Sequence, residues 1–248
     1  MTKIMKNNIQ VCLLVIFIAI AGIKCKPNKY EIPGENGFKV ILEETNNVPE
    51  KFHPDSLSNH RAIRNNNKDK SWEDIVDSAR LRYFKYFTKH DGVTTIKIKN
   101  NKTVQLVDKT SYDLFDVVDL IEYNYMCFIP EIDSHLVNLR FYEAEGYTLV
   151  SNKTGEEKTI WWIPYISPDK NRFAIAKKDF FYDAINIIQI FEIVSDKYIE
   201  KFEHEFDWGP DNVRWLDNDT FIVDKYILEI DKGEKKAGYV IFKLVDGK

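Results

Sequence analysis

Five histidines, His53, His60, His90, His135 and His204, are the side chains of this 248-residue chain best suited to proton transfer or metal ligation. They are scattered, and none forms His-Glu-x-x-His or His-x-His. No Gly-x-Ser-x-Gly elbow, Gly-x-x-x-x-Gly-Lys loop or Gly-x-Gly-x-x-Gly fingerprint occurs, and no Cys-x-x-Cys. No cofactor and no metal is expected. A catalytic pair brought together from distant loops would leave no local trace, so hydrolysis stays open as a competing class.

Three aromatic or acidic clusters remain. The densest is Glu203-His204-Glu205-Phe206-Asp207-Trp208. Strand alternation would put His204, Phe206 and Trp208 on one face and the three acids on the other. Trp208 is thus a candidate ligand contact, stacking on a sugar while acids bond its hydroxyls, against the simpler reading of a core strand with an acidic edge. Trp161-Trp162, with Tyr165 nearby, is the largest aromatic concentration. Adjacent strand residues face opposite ways, so one is expected in the core and the other is a candidate ligand contact. Asp217-Asn218-Asp219 resembles part of a calcium loop but lacks the further oxygens and the late Glu. It reads better as the turn between Trp215-Leu216 and Phe221-Ile222-Val223.

The chain opens with Lys3 and Lys6 ahead of an uncharged apolar run from Val11 to Ile23, ending near Ala19-Ile20-Ala21. A helix needs about 20 apolar residues to span a bilayer, whereas the apolar part of a signal peptide runs about 7 to 15. Residues 1–25 are therefore read as a signal peptide or lipoprotein-type leader, placing the protein outside the cytoplasm. Cleavage after Ala21 or Gly22 would release it, lipidation of Cys25 would anchor it, and an uncleaved leader would hold it at the membrane. Lys24 fits poorly before a lipidated cysteine, and Cys25 is alternatively a disulfide partner of Cys127. The setting Tyr125-Met126-Cys127-Phe128-Ile129 favours a buried thiol instead.

Hydrophobic residues make up 44% and aromatics 14%, enough for a core. Losing Lys3, Lys6 and Lys24 with the leader leaves 32 of the 35 basic side chains against 39 acidic ones. Nucleic acid is accordingly not expected as a partner, since its affinity rests on neutralising phosphates. Residues 26–70 are polar and rich in Pro, Gly and Asn, and read as a linker or arm containing one strand-like stretch, Phe38 to Leu42. Residues 71–248 read as a β-rich globular domain. Its first element is an amphipathic helix over 71–88, with Ser71 as N-cap and Trp72, Ile75, Val76, Ala79, Tyr83, Phe84 and Phe87 on one face. From Gly92 onward the period is that of strands, beginning with a hairpin of Thr94–Ile98 and Thr103–Val107 around Lys99–Lys102. Asn101, Asn152 and Asn218 each open an Asn-x-Thr sequon.

Pro168-Asp169-Lys170-Asn171-Arg172-Phe173 is matched 42 residues later by Pro210-Asp211-Asn212-Val213-Arg214-Trp215. Each is Pro-Asp-x-x-Arg-aromatic, at a spacing typical of propeller blades. Ser167-Pro168-Asp169 followed by Arg172 to Ala176, and the alternating Ile187 to Ile193, resemble the blade elements of WD40-like β-propellers. Asn152-Lys153-Thr154-Gly155 would be the turn between blades. The resemblance covers Tyr147 to Lys248, about two blades, without the Trp-Asp or Gly-His signatures. It implies antiparallel sheets in an incomplete or irregular propeller-like arrangement. The expected function is that of an exported bacterial-type β-domain binding a protein or glycan in the cell envelope. The competing classes are an envelope carbohydrate hydrolase using loop carboxylates and a structural envelope component.

Overall fold

The computed structural model of the chain describes residues 29–55, 57, 82–113, 116–141, 144–180, 185–229 and 232–247. These residues are mainly β, in four antiparallel sheets, one of them curled into a half-barrel. The smallest sheet holds β3 (Phe87–His90), β4 (Val93–Lys97) and β5 (Thr103–Val107). The next runs through β6 (Lys109–Asp113), β7 (Asp116–Ile129), β8 (Ser134–Arg140), β9 (Glu145–Ser151) and β10 (Glu157–Ile160). A third contains β11 (Tyr165–Ile166), β12 (Arg172–Lys177), β13 (Ile187–Val194) and β14 (Lys197–Glu205). The last joins both ends of the described chain. Its order is β1 (Lys29–Pro33), β2 (Lys39–Thr45), β17 (Gly233–Val245), β16 (Thr220–Glu229) and β15 (Gly209–Trp215).

Short loops with residues at positive φ close several of the hairpins. Asp91 and Gly92 (φ 47° and 73°) close β3 onto β4, and Ser195 and Asp196 (φ 52° and 65°) close β13 onto β14. Both are two-residue loops whose left-handed geometry matches strand twist, and Asp-Gly is a favoured sequence for it. Asn100 and Asn101 serve the β4–β5 loop in the same way.

Three cores bind the sheets face to face in chain order. Phe87, Ile96 and Leu106 meet Tyr125, Val137 and Val150. On the other face of the second sheet, Cys127, Leu136, Tyr147 and Leu149 meet Phe173, Ile175 and Phe191 of the third. The opposite face of the third sheet sends Ala174, Ala176, Ile188 and Ile190 against Phe38, Val40, Phe221, Val223 and Phe242. Consecutive residues of β12 thus feed different cores, as the two-residue period requires. Strands covered on both faces need an unbroken apolar run, and Phe173-Ala174-Ile175-Ala176 supplies it.

Several expectations change. The leader, and most of the helix expected over 71–88, lie outside the described residues. At the helix's expected end the chain is already a strand: Phe87 and Thr88 belong to β3. Aromatic side chains satisfied the helical spacing, while the Asp91-Gly92 turn fixes the hairpin that overrides it. Phe87 stacks on Tyr125 with ring centroids 4.2 Å apart, whereas Phe84, expected on the buried face, is 70% exposed. Part of the expected linker is core structure, because β2 pairs with β17 from Lys39↔Val245 to Thr45↔Tyr239. The chain from Asp116 to Ile129 runs as one long strand, β7.

The two hexapeptide copies also occupy different places. Pro168 to Asn171 is the β11–β12 turn, but Pro210 to Trp215 lies within β15, where a register shift between Asp211 and Arg214 marks a bulge at Asn212. The structural counterpart of the first copy is the β15–β16 turn. Asp169 accepts the backbone N–H of Asn171 at 3.1 Å, and Asp217 accepts that of Asp219 at 2.9 Å. The turn reading of Asp217-Asn218-Asp219 therefore holds.

These cores generate two expected outcomes. Phe173→Ala should cost about 3–5 kcal/mol in denaturant unfolding, against less than about 0.5 kcal/mol for Phe84→Ala. Removing residues up to 46 should abolish cooperative unfolding, because it strips β2 from β17 and Phe38, Val40 and Leu42 from the core. A dispensable linker would leave the transition unchanged.

Candidate functional site

Two polar groupings stand out from the apolar stack, one buried and one at a surface corner. The buried one grows from the turn between β7 and β8. The Tyr125 hydroxyl and His135 Nδ1 are 2.9 Å apart, His135 Nε2 and Asn152 Oδ1 3.4 Å, and Asn152 Nδ2 donates to Asp133 Oδ1 at 2.8 Å. Lys99 closes the chain on Asp133 Oδ2 at 2.5 Å. A Tyr125 donor requires the proton of neutral His135 on Nε2, which then donates to Asn152; this tautomer is assigned from the network. Phe128 and Tyr86 pack beside the imidazole. His135 is fully buried, and burial lowers its pKa despite opposing contributions from Asn152 and Asp133. For Asp133 burial pulls the pKa upward, but the hydrogen bonds from Asn152 and Lys99 outweigh it and the net shift is down. With no solvent face at the imidazole, the array reads as a structural tie between three hairpin ends.

The surface corner lies where β10 passes into β11. Trp161 and Trp162 are both half-buried and both pack against the core between the second and third sheets. The chain bends out of β10 before them, so strict strand alternation, which would bury one and expose the other, does not apply. The Trp162 ring meets Tyr147 edge-on at 5.6 Å. The Trp161 backbone N–H donates to Gln189 Oε1 at 3.2 Å, and Gln189 Nε2 donates to Glu203 Oε2 at 2.7 Å. Lys177 Nζ sits 5.5 Å from the centroid of the Trp161 ring, within cation–π range. Burial lowers the Lys177 pKa, with Asp179 opposing.

Trp208 is placed differently. Only 3% exposed, it belongs to the core beneath β15, packed on Phe206 at 4.8 Å with Lys225 over its ring. The alternation read from residues 203–208 is present: His204, Phe206 and Trp208 form an aromatic ladder, and Glu203, Glu205 and Asp207 are exposed. That ladder packs on the protein's own core, so the Trp208 ring has little face left for a sugar. Cys25 lies outside the described residues, and Cys127 is fully buried as a small apolar side chain. Among the described residues no three or more of His, Cys, Asp and Glu are arranged to hold a metal. No described helix is long and apolar enough to cross a membrane.

Lys177 and Gln189 were not marked by any motif. The signal available was parity, since Lys177 follows Phe173 and Ile175 at intervals of two and must share their face. The arginines of the hexapeptide do separate work. Arg172 binds Asp219, Asp246 (2.6 Å) and Glu192 (3.7 Å), tying two sheets together, while Arg214 binds Asp224 between the rings of Phe52 and Tyr239.

The buried histidine carries a pH dependence. Its folded-state pKa lies below the unfolded value of about 6.5, so the unfolded chain takes up the proton first on acidification. Melting temperature should hold above about pH 7 and fall as pH drops through 6.5 toward the folded value. His135→Gln should flatten that slope whatever its effect at neutral pH; Asp133 acts only below about pH 4. Comparison of the chain with protein-family models, with curated proteins and with solved structures finds no match in any of the three.

Proposed function

We propose that this chain is an exported β-domain that binds a glycan or protein of the cell envelope without turning it over, using the corner at Trp161 and Trp162. The observation that carries the reading is the adjacency of two half-buried indoles on a rigid support. Flat indole faces gain most from apolar C–H surfaces such as those of a pyranose ring, and large rings lose little entropy on binding. The leader, with its basic start and short apolar run, supports export. Its three fates remain release, anchoring at Cys25 or retention. Consecutive meanders packed face to face in chain order, with a last sheet shared by both ends of the described chain, support a propeller-like scaffold. Such a scaffold is compatible with enzymes as well as binders, so function rests on the corner and not on the fold.

Envelope polysaccharide incubated with the full chain decides between binding and hydrolysis. Co-sedimentation without new reducing ends is expected, with Trp161→Ala and Trp162→Ala each weakening retention about tenfold or more while leaving the melting temperature within a few degrees. Release of reducing ends would establish the hydrolase instead. Retention untouched by both substitutions would remove the corner from consideration.

A further inference from the structure

Six lysines of the described chain are half-buried, and five of them meet a carboxylate. Lys89 pairs with Asp108 (2.9 Å), Lys158 with Glu200 (3.2 Å), Lys178 with Asp211 (3.0 Å), Lys201 with Glu192 (3.4 Å) and Lys225 with Glu44 (2.5 Å). Lys177 is the exception. Among the described residues its ammonium makes no ion pair or hydrogen bond; it lies over the Trp161 ring and feels the charge of Asp179. Partial burial without a directly paired carboxylate costs free energy, which is why such cations are normally paired.

Asp179 is the acid whose charge acts on Lys177, and Glu203 accepts from Gln189 through Oε2. Gln189 is itself committed at both ends, to Trp161 and to Glu203. Lys177 stands at the end of β12 opposite the buried Ile187, on the face shared with Phe173 and Ile175, so its stem is confined by packing. The result is a positioned cation with spare donor capacity beside two half-buried indoles. An overall formal charge of −4 supplies no general attraction for anions, so any preference for one must arise locally.

We propose that the Trp161–Lys177 corner binds an acidic saccharide, with a uronate carboxylate on the Lys177 ammonium and the sugar ring against the tryptophan pair. This inference rests on the glycan-binding reading of the same corner and names its substrate class. The carboxylate would add a direct ion pair to the electrostatic influence of Asp179 on Lys177 and would accept its N–H donors. A neutral sugar of the same shape would gain the stacking alone.

Isothermal titration of the full chain with trigalacturonate, its fully methyl-esterified form and triglutamate tests this. The expected result is binding of the acid at least tenfold tighter than the ester, in a salt-dependent manner. Lys177→Met should erase that ratio, Lys177→Arg should keep it, and Trp161→Ala should weaken acid and ester alike. Retention of the preference in Lys177→Met, with an unchanged melting temperature, would overturn the assignment. Equal, Trp161-dependent binding of acid and ester would overturn the acidic preference and leave the glycan reading standing. Lys177-dependent binding of triglutamate with neither saccharide bound would overturn both, as would no binding at all.

Discussion

Strands β12 and β13 are buried on both faces, and the rest of the molecule is arranged around that double burial. Phe173, Ile175 and Phe191 form one wall, and Ala174, Ala176, Ile188 and Ile190 form the other. Large side chains face the second sheet, and small ones on β12 let the indoles and phenyl rings of the last sheet approach. Each large apolar side chain so buried contributes about 1.5–3 kcal/mol, and neither wall can be completed by the third sheet alone. Its two neighbours are therefore held by the same few residues, and disturbance of one wall passes to the other through a shared backbone.

Polar interactions then settle details that apolar packing leaves free. Arg172 lies at the edge of the central sheet and reaches Asp219 and Asp246 of the last one. This fixes the relative slide of two sheets whose apolar faces would tolerate several offsets. At the other end of the stack, the chain from Tyr125 through His135, Asn152 and Asp133 to Lys99 ties β7, the β9–β10 turn and the β4–β5 hairpin. Its members depend on one another: each interior donor has its acceptor, and removing one leaves a buried polar group unmet. The Trp161 corner inherits its rigidity from Gln189, a central-strand residue whose amide holds the backbone that carries the indole.

Much of this was legible along the chain. The alternating runs from Thr94 to Val107 and from Leu136 to Val245 mark strands, and Asp217-Asn218-Asp219 marks a turn, because backbone geometry and turn chemistry act locally. The failures share a cause. Tyr83, Phe84 and Phe87 fit a helical stripe by spacing, but the hairpin at Asp91-Gly92 and the stacking of Phe87 on Tyr125 draw the last of them into a strand. Residues 29–45 look like an arm because their partner, β17, lies some 200 residues away in the chain. The two hexapeptide copies take different backbone roles: one turns the chain and the other bulges a strand.

By itself, then, the sequence determined a β-rich antiparallel domain, the turns that divide it and the absence of any local catalytic motif. These follow from two-residue periodicity, left-handed turn residues and fixed motif spacing, all of them properties of neighbours. Only the tertiary structure decided which tryptophans stay half-buried, which half-buried lysine makes no ion pair among the described residues and which histidine is sealed from water. Burial is set by residues distant in the chain: Trp208 is covered by its own core, and His135 is sealed beneath side chains of other strands.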